Sequence, residues 1–84
     1  MAKTHKVEIK NMKFNPDNVS IAAGDSVEWT NSMGMEHTAT GDNGEFDSGD
    51  IGEGGTYTHQ FTAAGTVAYH CTIHPRMKAK VTVA

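Results

Sequence analysis

Apolar and polar residues alternate along most of this 84-residue chain. The alternation is clear in residues 6–10, 26–30, 57–62 and 77–83. A period of two is typical of β-strands that have one buried and one exposed face, and no segment of any length has the period of an amphipathic helix. Because the alternating segments are short and separated by turns, the pattern predicts an antiparallel-rich β-sandwich of two sheets with about seven strands.

The alternation loses its phase near Asn11. Met12 and Phe14 continue the apolar face only if one residue is inserted there, which we interpret as a β-bulge. Further along, composition predicts a short strand over residues 37–40 and a tight turn at residues 43–44, where Asn is followed by Gly.

The last quarter of the chain carries three side chains that can bind a metal ion. Cys71, His74 and Met77 follow one another at a spacing of three residues and offer a thiolate, an imidazole and a thioether. Pro75 disfavours a helix here, because it restricts the preceding residue and has no backbone N–H. We therefore predict a loop whose side chains converge on one ion. With His37 as a second imidazole, the set would suit an electron-transferring copper, which is bound by two His and one Cys with a weak axial Met.

Residues 69–77 resemble the copper-binding loop of the small blue copper proteins, the cupredoxins. The Cys-x2-His-x2-Met spacing is similar to the short loop of the amicyanin type rather than to the longer loop of the plastocyanin type. Other segments resemble parts of the same family in the same order, namely residues 7–14, 24–31, 37–38, 46–49 and 65–69.

The resemblance implies a cupredoxin-like fold, which is an all-β Greek-key β-sandwich of about seven to eight short strands, here as a single domain over residues 1–84. It also implies one type 1 copper ion that cycles between Cu(II) and Cu(I). His37, Cys71 and His74 would be the strong ligands and Met77 the axial one. By the same resemblance, His37 lies beneath the surface and His74 is exposed at the tip.

Two residues near the expected ligands differ from common family choices. Ile73 stands where relatives often have proline, so we expect its N–H to reach the Cys71 sulfur and to raise the reduction potential. Thr38 stands where several relatives have Asn. We expect a backbone N–H from Thr38, whereas a side-chain brace between the two ligand loops stays open.

The same residues admit other metal chemistry. Zinc could be bound by His37, Cys71, His74 and a fourth ligand, although the thioether of Met77 is a poor zinc ligand. Met33-x-Met35-x-His37 would suit Cu(I), as in copper-carrying proteins. The alternative function we retain is a copper-binding carrier that uses the same site of His37, Cys71, His74 and Met77 without redox shuttling.

Enzymatic activity is not expected. A lone Cys with several His residues can be a catalytic thiol, but no orienting carboxylate or oxyanion hole is evident around Cys71. His70 directly precedes Cys71, as in copper nitrite reductases, but those enzymes need two such domains and further His ligands. We expect His70 to be exposed, His5 to lie in an unstructured terminus and His59 to be a hydrogen-bonded packing residue on the inward face of its strand.

The charges are segregated along the chain. All seven basic residues lie within residues 3–13 or 76–80, and the net charge is −3. Six acidic residues, which we call the acidic patch, lie close together in sequence: Glu36, Asp42, Glu45, Asp47, Asp50 and Glu53. Such a patch could attract a basic redox protein, such as a cytochrome, that docks near His74. Nucleic acid is an unexpected partner at this net charge.

The compartment is inferred from the resemblance. We expect a monomer in the periplasm or another exported location, because blue copper proteins generally work outside the cytoplasm. Residues 1–3 lead directly into a strand without a secretory signal, so we expect a mature domain that begins at an added start. No apolar stretch approaches the ~18 residues of a membrane span, and the single Cys excludes an internal disulfide.

Overall fold

The computed structural model describes residues 2–84, and over that range it contains eight strands and no helix. Within this part of the chain, no helix is long and apolar enough to cross a membrane. The strands are β1 (Thr4–Lys10), β2 (Lys13–Asn15), β3 (Asn18–Ile21), β4 (Ser26–Asn31), β5 (Thr40–Gly41), β6 (Thr56–Gln60), β7 (Gly65–His70) and β8 (Lys78–Val83). The predicted all-β architecture is confirmed.

The strands form two sheets, with the orders β2-β1-β4-β6 and β3-β8-β7-β5. The pairs β1–β4 and β3–β8 are parallel, and the remaining pairs are antiparallel. Aromatic rings join the two inner faces. Tyr69 of β7 contacts Phe14 of β2 and Trp29 of β4, with ring centroids 4.7 and 5.3 Å apart. Burying one such ring or branched side chain contributes roughly 1.5–3 kcal/mol, so this shared core holds the sheets together as a sandwich.

The bulge predicted at Asn11 is wrong, because the chain reverses there. Asn11 and Met12 both have positive φ, 54° and 58°, and they connect β1 to β2 as a two-residue hairpin turn. Two residues of positive φ are typical of the type I′ turn that suits twisted strands. Ile9 and Phe14 are cross-strand partners, so they share the inner face although an odd number of positions separates them.

The strand predicted over residues 37–40 is only partly present. His37 forms an isolated bridge with Ile51, Thr40 forms one with Asp47, and a regular strand begins at Thr40. The prediction overextended the strand because the backbone at Ala39 bonds to Ser48 in both directions: the Ala39 N–H donates to Ser48 Oγ, and the Ser48 N–H donates to the Ala39 carbonyl.

Two histidines outside the C-terminal loop have defined places. His5 lies in β1 with Nε2 2.9 Å from a carboxylate oxygen of Asp25, so the expected unstructured terminus is wrong. His59 packs against the core as predicted, with its ring stacked on Phe46 at 5.1 Å and in edge contact with Phe61 at 4.8 Å, but within residues 2–84 its ring does not form the expected hydrogen bond. Burial lowers the pKa of His59, which favours its neutral form.

Candidate metal centre

The fold brings His37, Cys71 and His74 together. Their nitrogen and sulfur ligand atoms all lie within 4.8 Å of one another. Cys71 Sγ is 3.7 Å from Nδ1 of each imidazole, and the two rings have centroids 4.7 Å apart. Since His37 and Cys71 are 34 positions apart in sequence, only the tertiary structure produces this cluster.

The distances fit a metal ion better than a hydrogen-bonded thiol. A thiol carries one proton, yet the Cys71 sulfur faces two imidazole nitrogens at the same distance. Metal–sulfur and metal–nitrogen bonds of about 2.3 and 2.0–2.1 Å, as known for zinc, separate the two ligand atoms by about 3.8 Å at a trigonal angle. The donor set of one thiolate and two imidazoles favours a soft or borderline transition metal.

Burial divides the three side chains. His37 and Cys71 are fully buried, whereas His74 is half-buried. Burial, with a smaller contribution from the neighbouring His74, lowers the pKa of His37. His37 is therefore held in the neutral form, which is the form that binds a metal.

Met77 closes the loop that carries Cys71 and His74. Its carbonyl accepts the Cys71 N–H at 3.0 Å, and its own N–H donates to the His74 carbonyl at 2.9 Å. No helix is present over residues 71–77, which are part of the described range. The interpretation of this segment as a loop is confirmed, and Met77 is a buried residue within it, with 5% of its surface exposed.

Thr38 connects the two loops that carry these residues. Its N–H donates to the Cys71 sulfur at 3.3 Å, as expected. Its hydroxyl accepts the Thr72 N–H at 2.9 Å and lies 3.0 Å from the Thr40 hydroxyl. The side-chain brace left open by the sequence is therefore supplied by the threonine itself.

The N–H expected from Ile73 does not reach the sulfur. Among residues 2–84, the backbone N–H that donates to Cys71 Sγ belongs to Thr38. Ile73 lies in the exposed bend of the loop with 45% of its surface accessible. The donor to the sulfur therefore comes from the opposite loop, which corrects the prediction.

Asn31 is a residue of the centre that sequence reasoning missed. It is fully buried at the end of β4. Its Nδ2 donates to the carbonyls of Met35 and Ile51 at 2.9 and 2.8 Å, and its Oδ1 accepts the Met33 N–H at 2.9 Å. A signal was present in the sequence, because Asn31 continues the inward phase of Val27 and Trp29, and a polar residue at an inward position needs partners.

Asn31 positions His37 through Ile51. Ile51 exchanges two backbone hydrogen bonds with His37, at 3.2 and 2.7 Å. The Nε2 atom of His37 is buried and has no hydrogen-bond partner within residues 2–84. Since metal-binding histidines usually donate their second N–H, the orientation of His37 here depends on its backbone and on packing.

The residues considered for other chemistry have separate environments. Met33 Sδ accepts the Met12 N–H at 3.4 Å, and Met35 is exposed over 47% of its surface, whereas the buried His37 ring faces Cys71. His70 was expected to be exposed but is half-buried, with Nδ1 2.6 Å from an Asp42 carboxylate oxygen. The pairing of β5 with β7 brings His70 beside the turn that contains Asp42.

The sequence of this chain matches a known protein family. Residues 1–84 match the family described as copper binding proteins, plastocyanin/azurin family. Amicyanin from Paracoccus denitrificans is 37% identical over 87 residues, which cover 92% of this chain and 63% of the relative, slightly less than two thirds of its length. Amicyanin-alpha from Methylorubrum extorquens is 40% identical over 84 residues, which cover 93% of this chain and 70% of the relative.

Solved structures agree with the sequence comparisons. An oxidised mutant of amicyanin superposes with a TM-score of 0.90 at 32% identity, covering 95% of this chain and 81% of that chain. The likeness therefore extends over nearly the whole chain.

Proposed function

Because the chain belongs to the plastocyanin/azurin family of copper-binding proteins, we propose that it is a small blue copper protein that carries one electron at a time. Residues 1–84 form a single domain with one copper ion, which cycles between Cu(II) and Cu(I). His37, Cys71 and His74 are the strong ligands and Met77 is the weak axial ligand. The protein is a carrier and not an enzyme.

One observation carries this proposal. Cys71 Sγ lies 3.7 Å from the Nδ1 atom of each imidazole, so the three ligand atoms form a compact set. A thiolate with two imidazoles is the trigonal set of blue copper, and the hydrogen bond to the sulfur tunes its potential. Here Thr38 supplies that bond, and the buried His37 keeps solvent from the inner side of the ion.

The half-buried His74 gives electrons a route to the ion. It lies beside the exposed Ile73 and Pro75, so a partner that contacts this end of the sandwich would meet the imidazole edge. The two oxidation states of copper prefer different geometries, and a rigid pair of sheets holds the ligands in one compromise arrangement. Electron exchange is fast only when the ligands move little between the two oxidation states.

The electron partners are redox proteins that dock near His74. All six carboxylates of the acidic patch belong to exposed residues, which supports attraction of a basic partner such as a cytochrome. The protein works as a monomer, in the periplasm or another exported compartment, as its family membership suggests. Electron-transfer rates with a basic cytochrome that fall steeply with added salt would support this docking.

Voltammetry of the copper-loaded protein tests the function. We expect a reversible one-electron wave, and we expect Cys71→Ser to abolish it. A copper carrier would instead release Cu(I) readily to a competing chelator and give no reversible wave. The separate environments of Met33, Met35 and His37 argue against the Met-x-Met-x-His site of a carrier.

A further inference from the structure

A cavity of about 520 Å³ lies between β2 and the C-terminal loop. Phe14 and Met77 contribute to its lining and are buried, with 2% and 5% of their surfaces exposed. Lys13, Arg76 and Lys78 also line it and are exposed. We call this feature the basic cleft. It combines an apolar base with three cationic side chains.

The fold gathers these cations from the two ends of the chain. The hairpin turn after β1 places Lys13 at the start of β2, and Lys78 begins β8. Met77 lies between Arg76 and Lys78 in sequence, so the proposed axial ligand and two of the cations share one stretch of backbone.

The cations of the cleft are not neutralised by ion pairs within residues 2–84. The ion pairs found there are His5–Asp25, Lys6–Glu28 and His70–Asp42. One carboxylate, Asp17, lines the cleft, and it also lines the neighbouring depression beside Lys80. The cleft therefore keeps an excess of positive charge in a protein whose net charge is −3.

The basic cleft and the part of the acidic patch around Asp42 lie at opposite edges of the sandwich. β2 is an edge strand of the first sheet, whereas Asp42 follows β5, the edge strand at the far side of the second sheet. Phe46, within the patch region, stacks on Trp29 and on Tyr57 of β6, the edge strand opposite β2. An electron carrier meets a donor and an acceptor, and these edges offer the two partners opposite charges.

We propose that the basic cleft is a second docking site, which receives carboxylate side chains from an acidic redox protein. This inference rests on the proposed electron-carrier function. The cations attract the carboxylates and speed the encounter, while Phe14 and Met77 contact the methylene groups of acidic side chains. A partner seated there would touch the residue proposed as the axial ligand.

Nuclear magnetic resonance of the Cu(I)-loaded protein, titrated with a hexaglutamate peptide at low ionic strength, tests the proposal. We expect backbone amide shifts at Lys13, Asn15, Met77 and Lys78. The shifts should diminish when ionic strength rises from about 0.01 to about 0.15 M, because the Debye length falls from about 30 to about 8 Å. A hexalysine peptide should shift the acidic patch instead.

Matched charge variants make the test specific. Lys13→Gln combined with Lys78→Gln should weaken hexaglutamate binding about fivefold, as expected for two exposed charge contacts. Lys3→Gln combined with Lys6→Gln makes the same change in net charge and should weaken binding by less than about twofold. Asp17→Asn should tighten binding, whereas Asp50→Asn in the acidic patch should not.

Three results would overturn the inference. One is equal weakening by both lysine double variants, which would mean attraction by overall charge. Another is the absence of shifts at the cleft. The third is an identical response to inorganic phosphate at the same charge concentration, which would mean a small-anion site. Since the titration measures binding, a failure of copper loading would appear separately, in the optical spectrum of the Cu(II) form before its reduction.

Discussion

Strand β4 has a buried polar side chain at each end, and the two side chains differ in charge. Asp25 directly precedes the strand and Asn31 is its last residue. The Asp25 carboxylate accepts the N–H groups of Lys3 and Ala22 and contacts the His5 ring. The Asn31 amide bonds to three backbone groups of the segments around His37. Each side chain joins loops at one end of the sandwich.

The choice between carboxylate and amide follows from the backbone groups that each side chain must bind. At the first end, the N–H groups of Lys3 and Ala22 need acceptors, and a carboxylate supplies acceptors only. At the metal end, Asn31 must accept one N–H and donate to two carbonyls, which an ionised carboxylate cannot do. A neutral amide also adds no charge beside the candidate copper site. Both side chains are buried, and the groups that each must bind decide between carboxylate and amide.

Replacing the buried amide at the metal end by a carboxylate should have the largest effect on stability. Asn31→Asp would turn a buried carboxylate oxygen toward the carbonyls of Met35 and Ile51, so we expect the free energy of unfolding at neutral pH to fall by about 3 kcal/mol or more. Urea unfolding of the metal-free protein measures this loss. The exposed Asn43→Asp is the control, and equal losses in both variants would contradict the role of Asn31.

Loss of the Thr38 hydroxyl, which connects the two ligand loops, should lower the stability by less. Thr38→Val removes the hydroxyl that accepts the Thr72 N–H, and we expect a loss of about 1–2 kcal/mol in the free energy of unfolding. Copper should also dissociate faster in this variant. Thr38→Ser keeps the hydroxyl and should behave like the unaltered protein. If the serine variant lost as much stability as the valine variant, the hydroxyl would not be the brace.

At the other end of β4, the contribution of Asp25 to the free energy of unfolding should depend on pH. The hydrogen bond with His5, then the N–H bonds from Lys3 and Ala22, lower the pKa of Asp25 from 3.8 to about 2. The ionised carboxylate therefore stabilises the fold above pH 3.8, and this contribution is lost as the pH falls toward about 2. Asp25→Asn should flatten the dependence of the urea midpoint on pH over this window.

The optical spectrum of the copper-loaded protein should distinguish the two ends of β4. Asp25→Asn should leave the blue band unchanged, because Asp25 lies at the opposite end of β4 from the candidate ligands. Asp50→Asn serves as the control for the loss of one carboxylate. An unaltered slope of stability against pH in Asp25→Asn would show that the charge of Asp25 contributes nothing.

The smallest effect is expected at Ile73. Since the N–H that reaches the Cys71 sulfur comes from Thr38, Ile73→Pro removes no hydrogen bond to the sulfur. We expect its reduction potential, measured by voltammetry, to match that of the unaltered protein. A clear fall in potential would mean that the Ile73 N–H bonds to the sulfur when copper is bound.

Much of the fold could be predicted from the sequence, because alternation records which side chains face the core. The faces of β4 and β8 follow the predicted phase. The hairpin at Asn11 could not be recognised as readily. Its turn lacks the Asn-Gly pair that usually signals positive φ at both positions, so the shift in phase was interpreted as a bulge.

The candidate site was predictable where spacing encodes it and less so where the tertiary structure decides. The short spacing from Cys71 to Met77 keeps these residues in one loop, whereas His37 is 34 positions from Cys71 and only the tertiary structure brings the two together. Asn31 and the hydroxyl of Thr38 act through backbone groups of distant segments, and such partners have no pattern in sequence. The pairing of His70 with Asp42 likewise arises from the register of β5 and β7.

The central claim is a copper thiolate at Cys71, and titration of the metal-free protein with Cu(II), followed by optical and EPR spectroscopy, tests it most directly. We expect an intense blue band that saturates at one equivalent, with a narrow copper hyperfine pattern, and the loss of both in Cys71→Ser. A pale product with an ordinary square-planar spectrum, unchanged in Cys71→Ser, would contradict the account.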